Sequence, residues 1–231
     1  MSKRDLNFTT HRRGFLSTIA ATAAALGIGS LAAPFKAVAG ASIPPSNDAD
    51  AWFDKVKGKH RILYDTPRPN GIMPFAWARV FLLTNAATGS SEKDCGVVIV
   101  LRHDAIGYAF QNSLWQKYKF GELFKADDPA TNKPSVRNPF WQPKPGDFKV
   151  PGIGNVAIGI NELQESGVMF GVCDVAMTVF SAAVAGGMNM SAADVKKDWM
   201  SGLLPGIQVL PSGVWGVGRA QEHGCHYCYA G

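Results

Sequence analysis

The chain has 231 residues, a net charge of +5, four cysteines and 46% hydrophobic residues. Most of that charge sits in residues 1–39, where Lys3, Arg4, Arg12, Arg13 and Lys36 outweigh Asp5, so the remainder is close to neutral and offers no basic face for nucleic acid. Residues 40–231 suffice for one domain with a sizeable core, and four cysteines at this length do not make a disulfide scaffold.

The N-terminal segment reads as an address. Arg12 and Arg13 precede Gly14-Phe15-Leu16 and a mildly hydrophobic Ala/Gly/Leu run, and Ala37-Val38-Ala39 has the small-x-small form of a cleavage site. Twin arginines in this setting resemble a twin-arginine (Tat) export signal. The expectation is a periplasmic protein, cleaved after Ala39, with membrane contact only if the signal is retained. The run is long enough to span, but its Ala, Gly, Thr and Ser content makes it weakly hydrophobic.

Residues 40–58 form a polar, proline-containing lead-in with a short helix predicted over 51–57, and the domain proper is expected over 59–231. KHRILY at 59–64 is a strand that ends in the turn-forming run Asp65-Thr66-Pro67-Arg68. Residues 74–87 carry Phe75, Trp77, Ala78, Phe81 and Leu82 at helical spacing, with Pro74 near the first helical position. CGVVIVL at 95–101 is apolar on both faces, as a strand of a covered parallel sheet is. It breaks at Arg102-His103-Asp104, and 105–124 reads as one helix.

Residues 125–154 hold six of the fourteen prolines and little periodicity. A loop this long is usually functional or disordered. Phe140, Trp141 and Phe148 point to packing, and a lid over the Cys173 edge is expected. A helix is predicted over 155–165. Strand 168–172 runs into Cys173, and a helix follows over 175–187. Ser191 and Asp194 cap a helix that reaches about 201. A strand at 207–210, a helix at 214–223 opened by Pro211-Ser212-Gly213, and a last strand or tail at 225–230 complete the chain.

Strand and helix alternate without hairpin signals, which argues an α/β sandwich with a mainly parallel sheet of about five strands. In such sheets the chemistry gathers at the carboxyl ends of the strands. Those ends supply Asp65–Arg68, Arg102-His103-Asp104, Cys173-Asp174 and Pro211-Ser212. Cys173, where a strand gives way to a helix, faces unpaired N–H groups at the positive helix end, a setting that favours thiolate. Arg102 and His103 are the expected neighbours that stabilise it. Asp174 has two opposed effects, since an acid raises a neighbouring thiol pKa yet suits a helix start.

Cys225-x-x-Cys228, flanked by His223 and His226, admits several chemistries. The residue after Cys228 is Tyr229, which excludes c-type haem attachment. A metal site using Cys225, Cys228 and His226, a redox dithiol and a structural disulfide all remain open. The alternation places these thiols near the amino edge, so two separate thiol sites are expected.

The segments VVIVLRHDAI (97–106), ESGVMFGVCDVAM (165–177) and LLPGIQVLPSGVWGVGRAQEHGCHYC (203–228) together resemble the DsrE/DsrF-like family of small sulfur-handling proteins over about 60–230. The resemblance implies a flavodoxin-like three-layer α/β/α sandwich and a homo-oligomer. It also implies that Cys173 matches the family cysteine, which carries a persulfide in sulfur-relay members. Sulfur transfer or thiol redox chemistry at Cys173 is the first expectation, with a sulfur donor or acceptor protein, or a small thiol, as the implied partner. No cofactor is required, and a metal at the terminal Cys/His cluster stays one of the open options named above. The competing expectation is a non-catalytic periplasmic binding or assembly module, with Cys173 buried and that cluster serving as a metal or disulfide site.

Overall fold

Five strands pair in parallel to form the central sheet, the innermost built from a continuous apolar run. The computed structural model describes residues 46–231, so the expected signal over 1–39 lies outside the described residues. In chain order the first elements are α1 (Ser46–Phe53), β1 (His60–Thr66), α2 (Met73–Ala87), β2 (Cys95–Leu101), a 3-10 turn His103–Ala109, α3 (Asn112–Tyr118) and α4 (Phe120–Leu123). Two miniature ladders follow, β3 (Asp127–Asp128) with β4 (Lys133–Pro134) and β5 (Lys149–Val150) with β6 (Gly154–Asn155). The chain ends with α5 (Ile160–Glu165), β7 (Met169–Cys173), α6 (Asp174–Ala185), α7 (Ala192–Ser201), β8 (Ile207–Leu210), α8 (Gly213–Glu222) and β9 (His226–Tyr229).

The sheet order is β8-β7-β2-β1-β9, all parallel. From β1 through β2 and β7 to β8 the chain steps in one direction, and from β8 to β9 it returns across the whole sheet. Parallel crossovers keep one hand. Reversing the direction of travel therefore moves the connecting helix to the other face. One face carries α2 and everything from the 3-10 turn through α7, with a core of Phe75, Phe110, Trp115, Phe120, Phe140 and Trp199. The other carries α1 and α8 over Leu63, Val98, Val100 and Leu210. The result is a three-layer α/β/α sandwich of the flavodoxin-like kind, as expected.

Four expectations change. The short helix expected over 51–57 lies at Ser46–Phe53, and it packs as part of the domain, with Ala49, Trp52, Phe53 and Val56 buried and the last three on the thinly covered face. The helix expected over 105–124 is broken. Phe110 is extended and bridges Leu203, Gln111 N–H donates to Gly202 O, and Lys119 turns left-handed at φ 51°. A long-range pairing here outweighs a local helical period. The helix expected over 155–165 begins only at Ile160, since Gly154 and Asn155 pair with Val150 and Lys149, and Val156 N–H donates to Phe148 O.

The proline-rich segment is a plug, not a lid. Phe140 is fully buried against Phe75, Tyr108 and Phe148. Asn138 is buried too, donating through Nδ2 to Tyr108 O and Phe110 O while its Oδ1 accepts from Phe140 N–H. That side chain satisfies backbone groups the broken helix leaves open. No residue of 125–154 lines the Cys173 cleft.

Candidate functional site

The crossovers from β7 and β8 leave on opposite faces, to α6 and α8, so the two helices part above the carboxyl edge of the sheet while the strands stay paired through Cys173 and Leu210. A topological switch of this kind is where ligands sit in open α/β sheets. A cavity of about 240 Å³ occupies the gap, lined by Arg102, His103, Cys173, Phe180, Ser212 and Val214 among others. At about 30 Å³ per water, it admits a small molecule or one peptide side chain. Its walls are mainly apolar, and Val179 and Val214 at its rim are exposed.

Cys173 closes β7 and caps α6. Its backbone is extended (φ −76°, ψ 112°), and its Sγ accepts from Ala176 N–H at 3.3 Å. The sulfur thus sits at the positive end of a twelve-residue helix, 6% exposed at the cavity wall. The strand-end, helix-start geometry expected from the sequence is present.

Arg102 follows β2 and also lines the cavity. Its Nε donates to Asp65 Oδ1 at 2.6 Å and its Nη2 to Asp65 Oδ2 at 2.9 Å, a bidentate pair. Tyr227 OH donates to Asp65 Oδ2 at 2.8 Å. Asp65 raises the Arg102 pKa first of all, and Cys173 raises it least. The charge of Arg102 is therefore shared with a buried carboxylate. Gly213 makes this packing feasible: a Cβ there would collide with Arg102 Cβ, so only glycine lets α8 start so close. Ser212 caps that helix by accepting from Trp215 N–H.

His103 stands on the rim. It holds a left-handed backbone at φ 48°, its ring meets Phe180 edge-on, and its Nδ1 lies 3.1 Å from Asp104 Oδ1. The expected role beside the thiol is not seen as a contact, because the ring pairs with Asp104 and Phe180. Asp174, the ambiguous acid, is matched by Lys196, whose Nζ donates at 2.8 Å to its carboxylate and at 2.9 Å to Thr178 Oγ1. Lys196 lies on α7 rather than at a strand end. Nothing in the sequence separates it from its neighbour Lys197.

The terminal thiols do not form one centre. Side chains alternate along β9 and its approach, so Cys225 joins the α1/α8 core while Cys228 packs on the opposite face beside Tyr64. All four cysteines are free. Among the described residues no group of three or more His, Cys, Asp or Glu is arranged to hold a metal, so Cys225, Cys228 and His226 are not brought together. Cys225 precedes the amino end of β9, three strands from β7, in keeping with separate thiol sites. The amino edge has larger clefts, one touching Cys95 and one lined by Arg61 and His223. Arg61 there is committed to Gly58 O and His223 O.

Burial pushes the Cys225 thiol up to about 11, and it raises Cys95 and Cys228 as well, with Asp94 and Glu92 adding to the effect on Cys95. Cys225 is expected to resist alkylation in native protein at pH 8. The stability conferred by its neutral burial is full below the ordinary thiol value near 9 and is lost as pH rises toward 11. Peptide-resolved alkylation and denaturant midpoints from pH 7 to 11 check both statements. Rapid Cys225 labelling at pH 8 would contradict them.

Comparison with models of known protein families finds no match, and comparison with curated proteins finds none. Among the described residues no single helix is long and apolar enough to cross a membrane.

Proposed function

We propose that this protein is an exported sulfur carrier of the DsrE/DsrF-like kind, with Cys173 as the residue that takes and passes on sulfane sulfur. The observation that carries the proposal is the placement of Cys173 Sγ at the N-terminus of α6, in the wall of the apolar crevice that also holds Arg102. A helix N-terminus and a nearby cation both favour thiolate. The thiolate attacks the outer sulfur of a donor hydropersulfide. A new S–S bond forms at Cys173 as the donor's S–S bond breaks, and the electron pair leaves on the donor thiolate. The reaction has no net oxidation. The apolar walls exclude water and protect the persulfide until a second thiol collects the sulfur. The N-terminal segment supports action in the periplasm after cleavage at Ala39.

The test is mass spectrometry of protein purified from the periplasm without reductant, before and after incubation with a small hydropersulfide. The expected result is an adduct of about 32 Da on the Cys173 peptide, removed by dithiothreitol and absent in Cys173→Ser. An adduct confined to other thiols, or none, overturns the proposal. The low exposure of Cys173, at 6%, favours one alternative, a binding or assembly module in which this thiol is only a packed side chain. Native Cys173 that neither loads nor alkylates supports that alternative. The N-terminal mass read in the same spectra tests cleavage after Ala39.

A further inference from the structure

Among the described residues, Arg102 and His103, which line the Cys173 cleft, and Asp174, which follows Cys173 on its helix, are each paired. Arg102, from the end of β2, is bound by Asp65, which Tyr227 of β9 also holds. His103, on the rim, faces Asp104. Asp174, on the helix that Cys173 caps, is bound through both oxygens by Lys196 of α7. Helix α8 presents only Ser212, Gly213 and Val214. Asp174 is next to Cys173 in the chain. Without a counter-charge its carboxylate would oppose a second negative charge on the sulfur.

We infer that Lys196 is a positioning residue for Cys173: it neutralises Asp174, so that the carboxylate can occupy the first turn of α6 without suppressing the thiolate. The inference rests on the sulfur-carrier reading in needing an ionisable Cys173. Lys196 does not line the cleft, and its bonds go to Asp174 and Thr178. Its bond to Thr178 Oγ1, one turn further along α6, fixes the ammonium over that first turn. Asp174 thereby keeps its favourable place at the helix N-terminus.

The experiment measures alkylation of the Cys173 peptide by iodoacetamide, an uncharged reagent, from pH 5 to 10. It compares wild type with Lys196→Met, Lys196→Arg, Asp174→Asn and the double variant Lys196→Met/Asp174→Asn. Lys196→Met is expected to move the profile up by about one pH unit and to slow alkylation at pH 7 about tenfold. Lys196→Arg is expected to keep the wild-type profile, and the double variant to return to it, because the exposed carboxylate is gone. Circular dichroism establishes that each variant is folded. If the double variant stays as displaced as Lys196→Met, the lysine is only a tether between α6 and α7, and the inference fails. An unchanged profile in folded Lys196→Met also overturns it while leaving the sulfur-carrier reading intact. Native wild-type Cys173 that does not alkylate overturns both.

Discussion

Replacing Arg102 by methionine is expected to cost roughly 3–5 kcal/mol of stability, the range for breaking a buried ion pair from one side. The asymmetry of the pair sets the direction. Asp65 is 2% exposed, whereas the Arg102 side chain is 26% exposed and borders the cleft. Removing the arginine leaves a buried carboxylate with only the Tyr227 hydroxyl as partner. Removing the charge of Asp65 instead leaves a guanidinium that reaches water through the cleft, so Asp65→Asn is expected to cost less, about 1–3 kcal/mol. Urea unfolding at constant m-value reads both. In Arg102→Met/Asp65→Asn no charge is left to bury, and the double variant is expected to be more stable than Arg102→Met. A larger loss for Asp65→Asn than for Arg102→Met would refute this account of the pair. The same substitution removes the cation nearest the cleft, so Cys173 alkylation is expected to slow as well.

Arg79→Met is the second large loss expected, roughly 3 kcal/mol or more. Arg79 is buried on α2 and donates to Ala157 O at 2.6 Å, to Ser166 Oγ at 3.0 Å and to Glu162 O at 3.1 Å. Its guanidinium ties down both ends of α5, whose six residues are too few to be stable alone. Methionine fills similar space but leaves two carbonyls and a hydroxyl without this donor. Lysine is expected to rescue little, since one ammonium cannot reproduce a planar fork that spans three acceptors. Because α5 leads directly into β7, hydrogen exchange is expected to quicken over 157–168 before the rest of the sheet. Protection in that segment equal to wild type would show that α5 is held by something else.

Much of the sheet was legible because each central strand is buried on both faces, and a strand so placed appears as a continuous apolar run. CGVVIVL at 95–101 is such a strand over those same residues, and IQVL at 207–210, at the edge of the sheet and half-buried, also forms where its short apolar run predicted. Helix starts were legible where the cap is written locally. Ser191 accepts from Asp194 N–H, Ser212 from Trp215 N–H, and the Cys173 sulfur from Ala176 N–H, each three residues along the chain. The placement of Cys173 at a strand–helix junction follows from such local signals alone.

What the tertiary structure decided is which distant groups meet. The break at Phe110 comes from its bridge to Leu203, and the burial of Phe140 comes from a cavity left by α2 and the 3-10 turn. Asp65 finds Arg102 because β1 and β2 are neighbours in register, and it finds Tyr227 because the last crossover reverses direction and lays β9 beside β1. The same alternation along β9 sends Cys225 and Cys228 to opposite faces, although a C-x-x-C spacing suggests a pair. Lys196 reaches Asp174 only because α7 folds back on α6. Capping bonds and apolar periods act over a few residues and are visible in the chain. Charge pairing and face selection depend on strand order and crossover hand, which no local stretch encodes.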